Sequence, residues 1–410
     1  MDSSTPVLIF QAVPNLFAHG SVGIARSLGR LGVPVYGVYD DAWAPAARSR
    51  YVRGAFFVRS LGTSDQTRVE RLLEIGRIIG LRPILIPIDD VASLLVDSHA
   101  EQLRERFVFA RQPPGLVQSL ANKKELYFLC KRSGVPTPEA AFPECRDDVC
   151  RFLQRASFPV VLKSIDSRLL HQRPQASSVA IAHGPDELLE QYDRMEFPGT
   201  PNVMLQEYIP GGPDSIWMFN GYFNADSDYL IGITGRKLRQ HPPYTGITTL
   251  GVCVTNEAIN ETTRKFFKAL GYQGIVDMGY RYDARDGRYK LLDVNPRLGA
   301  TFRLFVAPNG MDVVRAMYLD LTGQPVPLSS ATNGRKWLLE SLDFVSSAVY
   351  FYDRRLTLSA WARSFGGVAE TAWFAQDDPL PFGVMWARLG LRVARRVRAR
   401  IRRAPLDLVG

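Results

Sequence analysis

Residues 7–96 alternate short apolar runs with helical patterns, and that alternation restricts the fold more than any other feature. Val7 to Phe10 is an apolar run of strand length. A turn bearing Gly20 and Gly23 then leads into a helix with Ile24, Leu28 and Leu31, closed by Gly32. Strand patterns follow at 33–39, 56–58 and 83–87, with a helix over 69–79 before the last. Strands connected through helices pair in parallel, and the helices cover both sheet faces. The expected class for this part is α/β. Asp89 and Asp90 follow the fourth strand, at the end where ligands of such sheets bind, although a helix N-cap explains them equally well. Gly20-Ser-Val-Gly23 is not the G-x-G-x-x-G dinucleotide pattern, and Asp40 and Asp41 lie only near the ribose-binding distance. A tight turn without ligand is the simpler reading.

The pattern changes after Gln112-Pro-Pro-Gly115. A helix spans 123–133, stopped by Gly134 and Pro136, and the strand 158–163 ends in Lys163. A helix covers 186–195 and a strand 203–209. Strands at 215–220 and 229–234 read as antiparallel, and a helix at 262–270 is ended by Gly271. Residues 275–282 and 289–294 form a hairpin around Ala284-Arg-Asp-Gly287. Strands in antiparallel pairs beside helices give an α+β part.

Composition then removes several functions. Four cysteines without CxxC spacing and five histidines argue against a disulfide scaffold or a zinc centre. No stretch of about 18 apolar residues offers a membrane span. Met1 to Pro6 has no basic n-region, and Val7 to Phe10 is too short for a signal peptide. The expectation is a reduced, cytoplasmic protein. The net charge is +9, but residues 384–410 hold eight arginines against one aspartate. With +7 in the tail, the body is near neutral, and no specific nucleic-acid partner is expected.

The chemistry concentrates at Leu291-Leu-Asp-Val-Asn-Pro-Arg297. Asp293 and Asn295, two apart on a strand, share a face. Two hard oxygen ligands suit Mg²⁺, which takes one or two carboxylates plus phosphate oxygens. Pro296 ends the strand, leaving Arg297 to project toward an anion. A polar turn at a strand end is the bland alternative.

Four features in order, Lys123, Lys163, Gln206-Glu-Tyr-Ile-Pro-Gly211 and Asp293-Val-Asn-Pro-Arg297, resemble the signature of the ATP-grasp superfamily. The likeness is to its carbamoyl-phosphate-synthase-like branch of predicted carboxylate–amine ligases, which includes D-aspartate ligase, and covers residues 7–325. It implies an N-terminal parallel-sheet pre-ATP-grasp domain (1–118) and a two-lobed ATP-grasp fold (119–325). The small lobe would be 119–205, the large lobe 206–325, with a C-terminal extension over 326–410. It implies ATP with Mg²⁺, or Mn²⁺, as cofactor, and small carboxylate and amine substrates. Lys123 and Lys163 would contact phosphate. Glu207, Tyr208 and Ile209 would lie beside adenine and Asp214 on the ribose. Arg236, Lys237 and Arg297 would stabilise charge during phosphoryl transfer, and Arg239 is a weaker candidate in the same basic run. The segment 164–178, with His171 and Arg173, would close over ATP.

One departure stands out. The family usually has Glu where this chain has Asp293, and an acidic or Gln residue on the preceding strand, where hairpin alignment places Gly279. Asp277, on the same strand face, is the expected substitute, so Asp277, Asp293 and Asn295 form the expected metal set. The loss of one ligand also leaves open a nucleotide-binding protein without turnover. A dinucleotide-binding oxidoreductase built on the first domain is a third reading. Finally, Trp386, Leu389, Val393, Val397 and Ile401 recur every three or four residues among arginines, giving a basic amphipathic helix over 384–403. It could contact an anionic membrane at its inner face or dock on the body of the protein. Homodimers are common among such ligases and are carried as an expectation.

Overall fold

The computed structural model describes residues 1–15, 18–39, 41–58, 64–166, 169, 178–197 and 199–401, with side chains through 395. Strands β1 (Val7–Phe10), β2 (Val35–Tyr39), β3 (Val52–Phe57) and β4 (Ile84–Pro87) form a parallel sheet in the order β3-β2-β1-β4. Strand β1 is buried on both faces, as its unbroken apolar run requires. Val7 and Ile9 face helix α1 (His19–Gly29), while Leu8 and Phe10 face α2 (Asp65–Ile79) and α3 (Asp90–Ser98). Gly20 and Gly23 sit inside α1, not in a turn before it. A Cβ at Gly23 would come 2.8 Å from the Phe302 ring, so that glycine permits close packing. The short α4 (Ala100–Leu103), α5 (Leu116–Ala121) and α6 (Lys123–Arg132) lead out of this domain.

The small lobe is an antiparallel sheet in the order β5-β8-β6-β7, from β5 (Ala140–Ala141), β6 (Val160–Ser164), β7 (Val179–Ala182) and β8 (Val203–Glu207). Helices α7 (Arg146–Leu153) and α8 (Pro185–Met195) give it a core of its own, built on Val149, Leu162, Leu188 and Leu205.

The large lobe is a seven-stranded sheet ordered β13-β12-β9-β10-β11-β14-β15. Its strands are β9 (Ile216–Phe223), β10 (Tyr229–His241), β11 (Ile247–Cys253), β12 (Gly274–Asp283), β13 (Arg288–Asn295), β14 (Lys336–Leu338) and β15 (Val368–Thr371). All neighbours are antiparallel except β14 and β15. Helices α9 (Glu257–Leu270) and α10 (Val313–Leu321) pack on it.

Residues 326–410, set apart from sequence as an extension, supply two of these strands together with α11 (Glu340–Tyr352), α12 (Leu358–Ser364) and α13 (Leu380–Ile401). Of these, residues 336–388 are built into the body. Trp337 and Trp373 are buried in the core shared with the N-terminal sheet. Arg26 meets Asp378 at 3.0 Å with both side chains buried, and donates to Trp373 O at 2.7 Å. Helix α13 begins docked: Met385 is buried and Arg388 makes a bidentate pair with Asp41. Beyond it, residues 391–395 are all exposed. Among the described residues no helix is long and apolar enough to cross a membrane.

Candidate active site

The hairpin β12–β13 sets the register of the oxygen ligands. Asp277 pairs with Asn295 and Gly279 with Asp293, the partner expected for Gly279. A one-residue register shift between Gly279 and Tyr280 produces this, since straight counting from the turn would set Met278 opposite Asp293. Asp277 lies opposite Asn220 of β9, whose Nδ2 donates to Asp277 Oδ1 at 3.5 Å. Asn295 Nδ2 donates to Asp277 Oδ2 at 3.3 Å. Gly299 closes over the carboxylate so tightly that a Cβ there would fall 2.3 Å from Asp277 Cγ. Burial raises the Asp277 carboxyl to about 6, against the attraction of Arg297 and Lys237, and Asp293 repels it in the same sense as burial.

Cations gather around these carboxylates. Lys163 near the end of β6 and Lys237 on β10 act on them directly, while Lys123 at the start of α6 and Arg281 on β12 lie close enough to act on Lys163. Burial pushes the Lys163 ammonium down to about 8; Asp293 opposes this, and repulsion from Lys123, Arg281 and Lys237 adds to it. Burial also lowers Lys237, with Asp277 and Asp293 pulling the other way, and its Nζ donates to Gly246 O at 3.1 Å. Lys163, Lys237 and Arg297 bear on the two carboxylates, and Lys123 and Arg281 add their charge beside Lys163, so the site carries excess positive charge suited to a polyanion.

Several side chains are held but not saturated. The Arg236 guanidinium lies 5.5 Å over the Trp217 ring, and its Nε is buried without a partner. Arg281 lies over the Tyr208 ring, and its Nε is likewise unpartnered. Asn220 Oδ1 is a third such atom, beside the carboxylates. Asp277, Asp293 and the amide oxygens of Asn220 and Asn295 therefore form an all-oxygen donor set of the kind Mg²⁺ takes. Among the described residues no three His, Cys, Asp or Glu side chains cluster as a metal cage, so phosphate oxygens or water would complete the coordination. A Cβ at Gly279 would meet nothing within 4 Å, so the position opposite Asp293 is open space.

The remaining expected residues divide. Glu207, at the end of β8, is held by Lys290 at 2.9 Å and Arg285 at 3.5 Å. Ile209 is buried, and Asp214 is exposed in a 3₁₀ turn at 213–215. Lys124, next to Lys123, lies over the Phe142 ring instead. The basic run 236–241 is the second half of β10. Within it Arg239 turns away from the site into a buried pair with Asp343 at 2.7 Å, a structural tie. His171 and Arg173 lie outside the described residues.

Arg297 does not project freely. Its Nε donates to Asp90 at 2.6 Å, one NH2 to Asn295 Oδ1 at 3.3 Å and the other to Leu298 O at 3.1 Å. Asp89 caps α3 through Ala92 N at 2.9 Å and accepts from Ala12 N at 2.7 Å. The two aspartates after β4 thus do different jobs: one caps, the other fixes Arg297 across the domain boundary. A cavity of about 990 Å³ opens there, with Arg297, Gln112, Gln118, His99 and Gln273 on its wall.

Sequence reasoning missed Arg281, Lys290 and Asn220. Arg281 was within reach, since it alternates with Asp277 and Gly279 along β12. Asn220 was not, because only the non-sequential pairing of β9 with β12 brings it to the site.

No family model matches the sequence. A D-aspartate ligase from Enterococcus faecium is 28% identical over 240 residues. That match spans 57% of this chain and 57% of the relative, so less than two thirds of the relative's length is covered. Among solved structures, an L-amino acid ligase from Bacillus licheniformis superposes with a TM-score of 0.58 over 78% of this chain and 75% of that one, at 15% identity. A biotin carboxylase from Campylobacter jejuni, solved as a β-γ-ATP complex, superposes at 0.62 over 81% and 74%, at 14% identity. This is the ATP-grasp fold. In an ATP-grasp frame, the cleft between β6 and β8 of the small lobe and β10, β12 and β13 of the large lobe is the place where the cations and carboxylates described above meet.

Proposed function

We propose that the chain is an ATP- and Mg²⁺-dependent, ADP-forming ligase that joins a carboxylate to an amine through an acyl-phosphate. The observation that carries this reading is the meeting of Lys163, with Lys123 and Arg281 beside it, and of Lys237 with the carboxylates Asp277 and Asp293 and with Asn295. Lys123 and Lys163 take the phosphates from the small-lobe side, while Tyr208 and Ile209 line the base and Asp214 the ribose. Asp277, Asp293 and Asn295 hold Mg²⁺, which when bound neutralises phosphate oxygens and aligns them for in-line transfer. Arg236 and Lys237 supply fixed positive charge where the transferring group passes, and their partly unpaired donors are ready for it. Arg297, fixed by Asp90, stands between the metal ligands and the 990 Å³ cavity and orients the acceptor carboxylate. The carboxylate oxygen forms a bond to the γ-phosphorus as the β–γ bridge breaks toward ADP. An amine then attacks the acyl carbon and phosphate leaves. No side-chain nucleophile is needed.

The acid and amine are small molecules entering by the cavity, and a homodimer is part of the same proposal. So is peripheral contact of the basic tail with anionic membrane, which deletion of 384–410 without loss of vesicle binding would remove. The test of the reaction is ADP release against a panel of amino acids and other small carboxylates. Acid-stimulated, Mg²⁺-dependent release that Asp293→Asn abolishes is the expected result. Full activity in both Asp293→Asn and Lys163→Ala would overturn the site. The open space at Gly279 favours a second reading, a nucleotide-binding module without turnover. Thermal stabilisation by ATP–Mg²⁺ with no ADP release on any acid would favour it.

A further inference from the structure

Helix α11 is built inside out. Its inner face is polar: Asp343 accepts from Arg239 and from Thr249 Oγ1, Ser346 meets His241 at 2.9 Å, and Ser347 accepts from Trp361 Nε1 at 3.1 Å. At its first turn Glu340 accepts the backbone N–H groups of Trp373 and Phe374. The outer face is apolar: Phe344 is 50% exposed, Val345 52%, Val349 40% and Tyr352 86%. Helix α12 extends this face with Leu358, 71% exposed, and the half-buried Trp361 joins the two helices, its Nε1 on Ser347 and its ring 6.1 Å from Phe344. A surface helix that only had to fold would bury its apolar residues, and contiguous apolar surface marks a place of contact.

The rim of the patch says with what. Over residues 344–369 the chain has Arg354, Arg355 and Arg363 against Asp353 alone, and all three arginines are exposed. Asp353 already accepts from Tyr244 Oη at 2.8 Å. Aromatic and aliphatic side chains ringed by arginine suit the boundary between anionic headgroups and acyl chains. A second copy of the chain would bring the same arginines against themselves, which charge disfavours. We propose that the outer face of α11 and α12 docks on an anionic lipid bilayer. The surface is tied through Asp343 and Ser346 to β10, the strand that carries Arg236 and Lys237, so docking would hold the catalytic cleft against the membrane. The inference rests on the patch and not on the ligase reading or on the arginine-rich tail.

The test uses the full chain and vesicles of phosphatidylglycerol with phosphatidylcholine, compared with phosphatidylcholine alone. Sedimentation should show binding to the anionic vesicles that weakens with salt. The double variant Val345→Asp/Tyr352→Asp should lower the partition at least tenfold with its thermal midpoint unchanged, whereas deletion of 392–410 should leave a binding that this double variant still removes. Should the double variant fold poorly, Arg354→Gln/Arg355→Gln is read instead, and must lose the preference for anionic vesicles. Binding that depends on 392–410 alone would overturn the proposal. So would a dimer that Val345→Asp/Tyr352→Asp separates, in a chain that binds no vesicles.

Discussion

Replacing Lys163 by methionine should move two properties in opposite directions. The ammonium is pushed from 10.5 to about 8 by burial and by the cations around it. A depression of that size, at roughly 1.4 kcal/mol per unit, corresponds to a folded-state cost of about 3 kcal/mol while the group is charged. Methionine keeps the apolar stem and removes the charge, and because the shift already nets the attraction of Asp293 against burial and repulsion, the nucleotide-free variant should be more stable by about 1–3 kcal/mol at pH 7. The sign with pH follows from the direction of the shift. The unfolded chain holds this proton up to 10.5 and the folded chain releases it near 8, so the cost is fully present below pH 8. It fades as pH rises from 8 toward 10.5, and the gap between variant and wild type should close over that window. ATP–Mg²⁺ should do the reverse, stabilising wild type strongly and the variant little, because phosphate is the counter-charge the cluster lacks. Urea unfolding at a series of pH values, with and without nucleotide, reads both effects. A variant less stable than wild type at pH 7, or a gap that does not change between pH 8 and 10, would refute the reasoning.

Asp277 should titrate in the metal-free protein with the opposite polarity. Its carboxyl is raised to about 6, so ionising it costs folding free energy above pH 6 and nothing below the ordinary value of 3.8; the stability of Asp277→Asn relative to wild type should therefore rise by about 1–3 kcal/mol from pH 4 to pH 7, measured by urea unfolding without divalent ions. Gly299→Ala should damage the site through contact with the Asp277 carboxylate, lowering Mg²⁺ affinity at least tenfold by calorimetry in the presence of ATP. Asp343→Ala leaves Arg239 buried and unpaired and should cost about 3–5 kcal/mol in global unfolding, an effect that an exposed pair such as Arg264 with Glu261 would not show.

The parallel sheet, the small-lobe strands β6 and β8 and the β12–β13 hairpin were legible because each follows from local periodicity or a turn, whereas the two-residue β5 and the short β7 offer no such pattern. The irregularity that sets Gly279 rather than Met278 opposite Asp293 lies beyond the turn and leaves no mark in the local pattern. Legibility failed where polarity and position parted company. The strand pattern is legible only to Thr234, because a strand central in its sheet seldom carries four charged or titratable residues, yet β10 continues to His241 and the site and α11 take those residues up from opposite sides. Helix α11 concealed itself for the same reason, its buried face being the polar one. Arg297 was found, but its partner Asp90, 207 residues earlier, could be paired with it only by the fold.

The small lobe's separate core has a consequence for how the protein breathes. Val149, Leu162, Leu188 and Leu205 share no cluster with the apolar core that joins the N-terminal sheet, the large lobe and residues 337–385. The lobe is thus a candidate foldon, able to open below the free energy of global unfolding. Amide protons of β6 and β8 should exchange ahead of those of β9 and β12, and bound nucleotide should bring the two sets together. A substitution in the lobe's core would then surface as faster nucleotide release rather than as a lower melting point.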